Sequence, residues 1–168
     1  MRGGGRGSAL LILFAAVVLL RPWESWADLW SDPLPPSARV FVTRAVDGDT
    51  VEVQIEGREE DVRYIGVDTP ETVKPEEPVQ CFGPEASDFN HRLVEGKWAR
   101  LVFDEERRDV YGRLLAYVYL EGRFVNAELL RRGLARTLTI PPNDRHAKRF
   151  KRLQMAAARA GRGLWGAC

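Results

Sequence analysis

The sequence predicts an α+β fold, mainly β: a small antiparallel barrel with helices packed around it. Three observations carry that prediction. Short runs of β-branched and alternating apolar residues crowd the first part of the chain, tight-turn residues separate them, and helical spacing is inserted once and appended later. With 168 residues, 45% apolar and 29% charged, the chain has the mass and composition of one ordinary soluble domain with a real core.

Residues 38–46 and 50–55 read as strands joined by the Asp47-Gly48-Asp49 turn. Glu56-Gly57-Arg58 turns into a third strand over 61–67, with Val62, Tyr64 and Gly66 on one side, so the three form a meander. Residues 73–81 are a Pro- and Glu-rich loop. Gly83-Pro84 opens a helix, because proline in the first turn lacks only an N–H that would stay unpaired. Ala86, Phe89, Leu93 and Val94 keep helical spacing, and Gly96 stops it. Strands follow over 99–103 and 114–120, the second turned by Glu121-Gly122 into 123–125. Asn126 is placed to cap a short helix through Arg132 that ends at Gly133. Residues 134–140 are extended, Pro141-Pro142 ends them, and Asn143 or Asp144 caps a longer helix over 144–160. Trp98 and Trp165 are expected to pack on the barrel and the last helix, and His91 and His146 to be exposed and non-catalytic.

Residues 1–27 read separately. Arg2 and Arg6 precede an apolar run from Ala9 to Leu20, and Ser25-Trp26-Ala27 has the small-x-small pattern of a cleavage site. Twelve residues are fewer than the roughly 20 of a spanning helix. A cleaved signal peptide is expected, with an uncleaved N-terminal anchor holding Trp23, Trp26 and Trp30 at the headgroups as the alternative. Either way the body is exported (secreted, or in the periplasm or envelope). Residues 28–37 are an irregular, Pro-rich leader and 38–168 the domain.

Without residues 1–27, which hold three Arg and one Glu, the formal charge is −1, so the total does not argue for nucleic acid. Its distribution is uneven: from Arg131 to Cys168 eight Arg and two Lys face one acid, Asp144, whereas acids dominate from Glu52 to Glu77. The basic end suits polyanions or is a solvated helix face. The two cysteines, Cys81 and Cys168, lack zinc-ligand spacing. In an exported chain a Cys81–Cys168 disulfide is the hypothesis, with two free thiols as the alternative.

Chemistry concentrates in Asp47-Gly48-Asp49-Thr50 and Asp68-Thr69-Pro70-Glu71-Thr72, with Arg63 between them and Tyr111-Gly112-Arg113 downstream. Asp49 and Asp68 each follow a strand, where carboxylates, carbonyls and waters suit a hard cation. Asp47-Gly48-Asp49 taken alone reads first as a hairpin turn. An EF-hand is excluded, because Thr50-Val51-Glu52 lacks the required glycine. Glu71 is within reach of a water on the same cation. Arg63 and Arg113 are bidentate donors for a phosphate whose charge grows in the transition state, and Tyr111 adds a phenol.

On these residues, with Ala45-Val46, Val67, Gly83-Pro84-Glu85-Ala86-Ser87, Asp109, Leu115-Ala116-Tyr117, Val125-Asn126 and Gly133-Leu134-Ala135, residues 40–165 resemble the staphylococcal nuclease (thermonuclease) family. The resemblance implies a five-stranded OB-fold barrel with three helices and Ca²⁺-dependent cleavage of DNA and RNA. Single strands are the expected preferred substrate, with no obligate protein partner and a monomeric state expected. It implies Asp49, Asp68 and the Thr69 carbonyl as Ca²⁺ ligands, with Asp47 supporting them. Arg63 and Arg113 clamp the phosphate, with Tyr111 beside them, and Glu71 acts as general base or water orienter. Water attacks phosphorus, the 5′-oxygen leaves and 3′-phosphate ends result, with Ca²⁺ as Lewis acid and template.

Two departures stand out. Val110 replaces the lysine that precedes the tyrosine in the family's best-known member, and Leu138-Thr139-Ile140-Pro141-Pro142 has none of the tyrosines that stack a base there. Weaker ground-state binding of short substrates follows, with chemistry retained. The rival reading, a non-catalytic OB-fold module that binds nucleic acid or protein, predicts losses among Asp49, Arg63, Asp68, Glu71 and Arg113; all five are present.

Overall fold

The computed structural model describes residues 34–72 and 78–168, so the signal or anchor expected over 1–27 lies outside the described residues. In chain order the strands are β1 (Ser37–Ala45), β2 (Thr50–Ile55), β3 (Arg58–Tyr64), β4 (Gly66–Asp68), β5 (Trp98–Val102), β6 (Leu114–Leu120), β7 (Arg123–Phe124) and β8 (Arg136–Leu138). The helices are α1 (Gly83–Val94), α2 (Val125–Arg132), α3 (Ala147–Arg159) and the single turn α4 (Leu164–Ala167). Among the described residues no helix is long and apolar enough to cross a membrane.

Five strands pair in the order β3-β2-β1-β5-β6, and β3 closes onto β6. This is the expected five-stranded barrel with its three helices, and α4 is an addition. Neighbours run antiparallel except at the closing β3–β6 seam, which is parallel. Alternation fills the interior: Val51, Val53 and Ile55 of β2 are buried while Gln54 faces out. Leu101, Leu114 and Val118 belong to the same buried core. Leu34 is buried as well, so the folded unit begins ahead of β1.

Several sequence expectations need correction. The third strand, expected over 61–67, starts at Arg58 and stops at Tyr64. Gly66 then takes a left-handed φ of 79°, and a Cβ there would lie 2.6 Å from the Phe150 ring. The chain leaves the barrel at that point, and β4 pairs instead with β8, the only regular part of the extended stretch 134–140. Asn126 does not cap α2, which begins one residue earlier. It is fully buried, accepting from the Val118 N–H at 2.9 Å and donating to the Ile65 carbonyl at 2.9 Å. Neither Asn143 nor Asp144 caps α3, which starts at Ala147; the Asn143 amide bonds both backbone groups of Glu106 instead. His146 is half-buried against Tyr117, Phe124 and Phe150 rather than exposed. Trp98 touches Phe41 edge-on yet stays 55% exposed, whereas Trp165 is half-buried under Arg136.

Candidate active site

The turn between β1 and β2 is braced from three sides. Asp47 Oδ1 accepts the Asp49 N–H at 2.9 Å, closing the turn locally. Asn90, fully buried on α1, donates to the Asp47 carbonyl at 2.8 Å and accepts from Tyr64 Oη at 3.0 Å. The Tyr64 N–H bonds the Asp49 carbonyl at 2.9 Å. Desolvation raises the Tyr64 phenol above its ordinary range, so it stays a neutral donor at physiological pH.

This bracing drives the Asp49 side chain inward. The residue is 4% exposed, and Oδ2 accepts the Thr69 N–H at 2.6 Å. Oδ1 meets Arg63 Nη1 as an ion pair without hydrogen-bond alignment. The other terminal nitrogen of the same guanidinium donates to Asp68 Oδ1 at 2.8 Å. One fork therefore spans both carboxylates. Burial pushes the Asp49 carboxyl up to about 6, with Arg63 pulling against it. For Arg63, burial opposes the charge but Asp49 and Asp68 outweigh it, and its pKa rises further.

Gly48 has a packing reason. A Cβ there would sit 2.7 Å from Thr69 Cγ2 and Oγ1 and 2.8 Å from its Cβ. The two acidic stretches thus touch directly, through Gly48 on Thr69 and through Asp49 on the Thr69 N–H. Glu71 lies on the loop after β4, half-buried, where Oε1 accepts the Thr72 N–H at 2.9 Å.

The second arginine sits on a tight loop before β6. Asp109 Oδ1 accepts the N–H groups of Tyr111 and Arg113, both at 3.0 Å, and Oδ2 takes Arg113 Nε at 2.8 Å and Nη2 at 2.7 Å. The Arg113 guanidinium lies 5.4 Å from the centroid of the Tyr111 ring. Arg108 fixes this loop to β3, with 2.8 Å and 3.0 Å bonds to the Glu60 carboxylate, and that pair lowers the Glu60 pKa. Arg63, Tyr111 and Arg113 line one cleft of about 320 Å³, which Leu138 and Ile140 also line. The structure therefore gathers Asp47, Asp49, Arg63, Asp68 and Thr69 into one contact network and puts Arg63, Tyr111 and Arg113 around one cleft.

The comparisons with known proteins fit this arrangement. The family model described as staphylococcal nuclease homologue matches residues 61–167. The chain belongs to the staphylococcal nuclease family. It is 44% identical over 124 residues to the thermonuclease of Staphylococcus hyicus, covering 74% of this chain and 73% of that protein. The thermonuclease of Staphylococcus intermedius is 44% identical over 125 residues, 74% of each chain. Endonuclease YncB of Bacillus subtilis is 44% identical over 128 residues, 75% of this chain and 61% of that protein.

Around this candidate site of a staphylococcal nuclease family member, sequence reasoning missed the groups that hold the others. Asp109 stood inside a recognised motif with no role, yet it fixes Arg113. Asn90 left a readable signal: a polar residue at the spacing of Ala86, Leu93 and Val94 on the apolar face of α1. Asn143 left none, because its partner Glu106 is 37 residues away.

Proposed function

We propose that this nuclease is exported and hydrolyses phosphodiester bonds of DNA and RNA, single strands in preference, with Ca²⁺ as cofactor and 3′-phosphate ends as products. The observation that carries the reading is the convergence of Asp49 and Asp68 on one guanidinium that also faces the Arg113 cleft. The residues fit a hard cation: the donor set is all oxygen, and the two carboxylates already lie within the span of one fork. Asp49, Asp68 and the Thr69 carbonyl would hold Ca²⁺, with Asp47 fixing the turn. When bound, Ca²⁺ supplies Lewis acidity to a phosphoryl oxygen and a template for the substrate.

The chain's own residues supply the rest. Arg63 and Arg113 donate to the non-bridging phosphate oxygens, where charge grows as phosphorus becomes five-coordinate. Glu71 orients the attacking water or takes its proton. Attack opposite the 5′-oxygen expels that oxygen and leaves the phosphate on the 3′ side. Tyr111 adds a phenolic donor at the cleft rim. The Leu138 and Ile140 wall offers a base an aliphatic surface, so short substrates bind weakly while the chemical step is kept.

The test is hydrolysis of single-stranded DNA with Ca²⁺, with a chelator, and with Glu71→Gln. Loss of activity in chelator and a large fall in kcat for Glu71→Gln are expected. Activity unchanged in chelator would end the metal mechanism, and an unaffected Glu71→Gln variant would remove Glu71 from the chemistry.

A further inference from the structure

Gln80 and the cysteine bridge lie outside every role assigned above, yet they converge on Glu71. The Glu71 N–H donates to Gln80 Oε1 at 3.1 Å, and the Gln80 N–H donates to the Glu71 carbonyl at 3.0 Å. Two bonds thus hold Glu71 against a residue nine positions away in sequence. The next residue, Cys81, is joined to Cys168, with the two Cα atoms 6.1 Å apart.

Cys168 is a firm anchor. It follows α4, where Leu164 is buried and its N–H bonds the Gly133 carbonyl at 2.9 Å, at the end of α2. Gly163 packs so closely on Gly133 that a Cβ would fall 2.3 Å from the Gly133 carbonyl oxygen. The same short stretch is pinned on its other side. Gly83 bonds the Gln80 carbonyl at 3.0 Å, and a Cβ on Gly83 would lie 3.0 Å from the Glu71 carbonyl oxygen and 3.1 Å from that of Pro70. Phe82, between bridge and glycine, is held at a left-handed φ of 69°, a conformation that persists only where neighbours enforce it. Gln80, Cys81 and Cys168 also share a cleft of about 190 Å³ with Asp68, Thr69 and Pro70.

We propose that Gln80 is a positioning residue for Glu71, and that the Cys81–Cys168 bridge fixes it by tying its segment to α4 and the end of α2. The inference rests on the reading of Glu71 as the group that handles the attacking water. A side chain that must meet a water and a phosphate together tolerates little displacement: a shift of about 1 Å costs on the order of 100-fold in rate.

The test compares Gln80→Ala, Gln80→Glu, the double variant Cys81→Ala/Cys168→Ala, and Glu71→Gln. Single-stranded DNA hydrolysis in saturating Ca²⁺ is read as kcat and KM, with thermal melting and Ca²⁺ affinity alongside. Gln80→Ala is expected to lower kcat by about tenfold or more with KM within about twofold, the signature of lost positioning rather than lost binding. Gln80→Glu keeps an acceptor oxygen for the Glu71 N–H and is expected to recover most of that rate. The bridge variant should follow Gln80→Ala in kcat, and in a Glu71→Gln background Gln80→Ala should add little, because the two act as one unit. Full kcat in Gln80→Ala, alongside a large loss in Glu71→Gln, would overturn the positioning role and leave Glu71 in place. Full kcat in Glu71→Gln would instead remove the reading beneath it. A loss in Gln80→Ala with full kcat in the bridge variant would overturn the part assigned to the disulfide. A loss in Gln80→Ala matched by lower Ca²⁺ affinity or melting temperature, and not rescued by glutamate, would mark Gln80 as merely structural.

Discussion

Gly48→Ala isolates the contact between the two acidic stretches. Gly48 does not have a left-handed φ, so backbone strain is not the issue; space is. The added Cβ would stand 2.7 Å from Thr69 Cγ2 and Oγ1 and 2.8 Å from Thr69 Cβ, against an ordinary carbon–carbon separation of about 3.5–4.0 Å. Because the Thr69 Cβ itself is in the way, rotation of its side chain gives no relief, and the residue must withdraw by roughly 0.7–1 Å. Its N–H lies 2.6 Å from Asp49 Oδ2, and a withdrawal of that size moves the bond to the edge of hydrogen-bond range. A hydrogen bond to a charged group contributes about 1.5–3 kcal/mol. Displacing Thr69 also displaces the carbonyl proposed as a Ca²⁺ ligand. Calorimetric titration with Ca²⁺ should show affinity weakened by about tenfold or more, and single-stranded DNA hydrolysis should fall by about 100-fold. Thr69→Gly in the Gly48→Ala background removes all three clashing atoms and should restore much of both. Affinity and rate within twofold of the parent for Gly48→Ala alone would refute the reasoning, since the two stretches would then move independently.

Three further outcomes are expected. Arg63→Ala strands the buried Asp49 carboxylate and should destabilise the Ca²⁺-free protein by about 3 kcal/mol, with the deficit shrinking when Ca²⁺ is added; thermal melts that show the same deficit with and without Ca²⁺ would refute it. His146 has its pKa lowered, by burial first and then by Arg149 and Arg145, so protonation favours the unfolded chain. Stability owed to this group is therefore complete above about 6.5 and falls as pH drops from there toward the folded pKa, and His146→Phe should gain on the parent across that window in denaturant titrations. Ile140→Tyr returns a ring to the cleft wall and should lower KM for a short oligonucleotide by a factor matching about 1–3 kcal/mol, with kcat little changed; an unchanged KM would show that this wall does not contact a base.

Much of the candidate site's assembly was legible because its residues are local in sequence. Asp49, Asp68, Thr69 and Glu71 sit in two short motifs, and the antiparallel pairing of β2 with β3, which sets Thr50 opposite Arg63, brings Asp49 and Thr69 together. Illegibility begins where a side chain's partner is distant. Asn126 follows a strand in a position that favours a cap, and cap chemistry is the local default. The tertiary alternative prevails because the Ile65 carbonyl and the Val118 N–H are both buried and each needs a partner. The break at Gly66 was hidden for a similar reason: Val62, Tyr64 and Gly66 continue one alternation, and only the Phe150 ring, 84 positions on, shows why the third member must be glycine.

The carboxamides among these residues share a role that bears on function. Each loop carrying a site group is tied down by a carboxamide: Asn90 holds the Asp47 carbonyl, and Asn126 the carbonyl just before β4 and Asp68. Gln80 holds the Glu71 N–H, and Asn143 both backbone groups of Glu106 at the foot of the Asp109–Arg113 loop. An amide offers a donor and an acceptor without a charge. Aspartate at Asn90 would add negative charge to the turn that carries Asp49, whose burial already raises its pKa. A neutral brace lets the loops be fixed without altering the field in which a cation and a phosphate are to be bound. Carboxamide substitutions should therefore loosen a loop while leaving the charge of the site nearly intact.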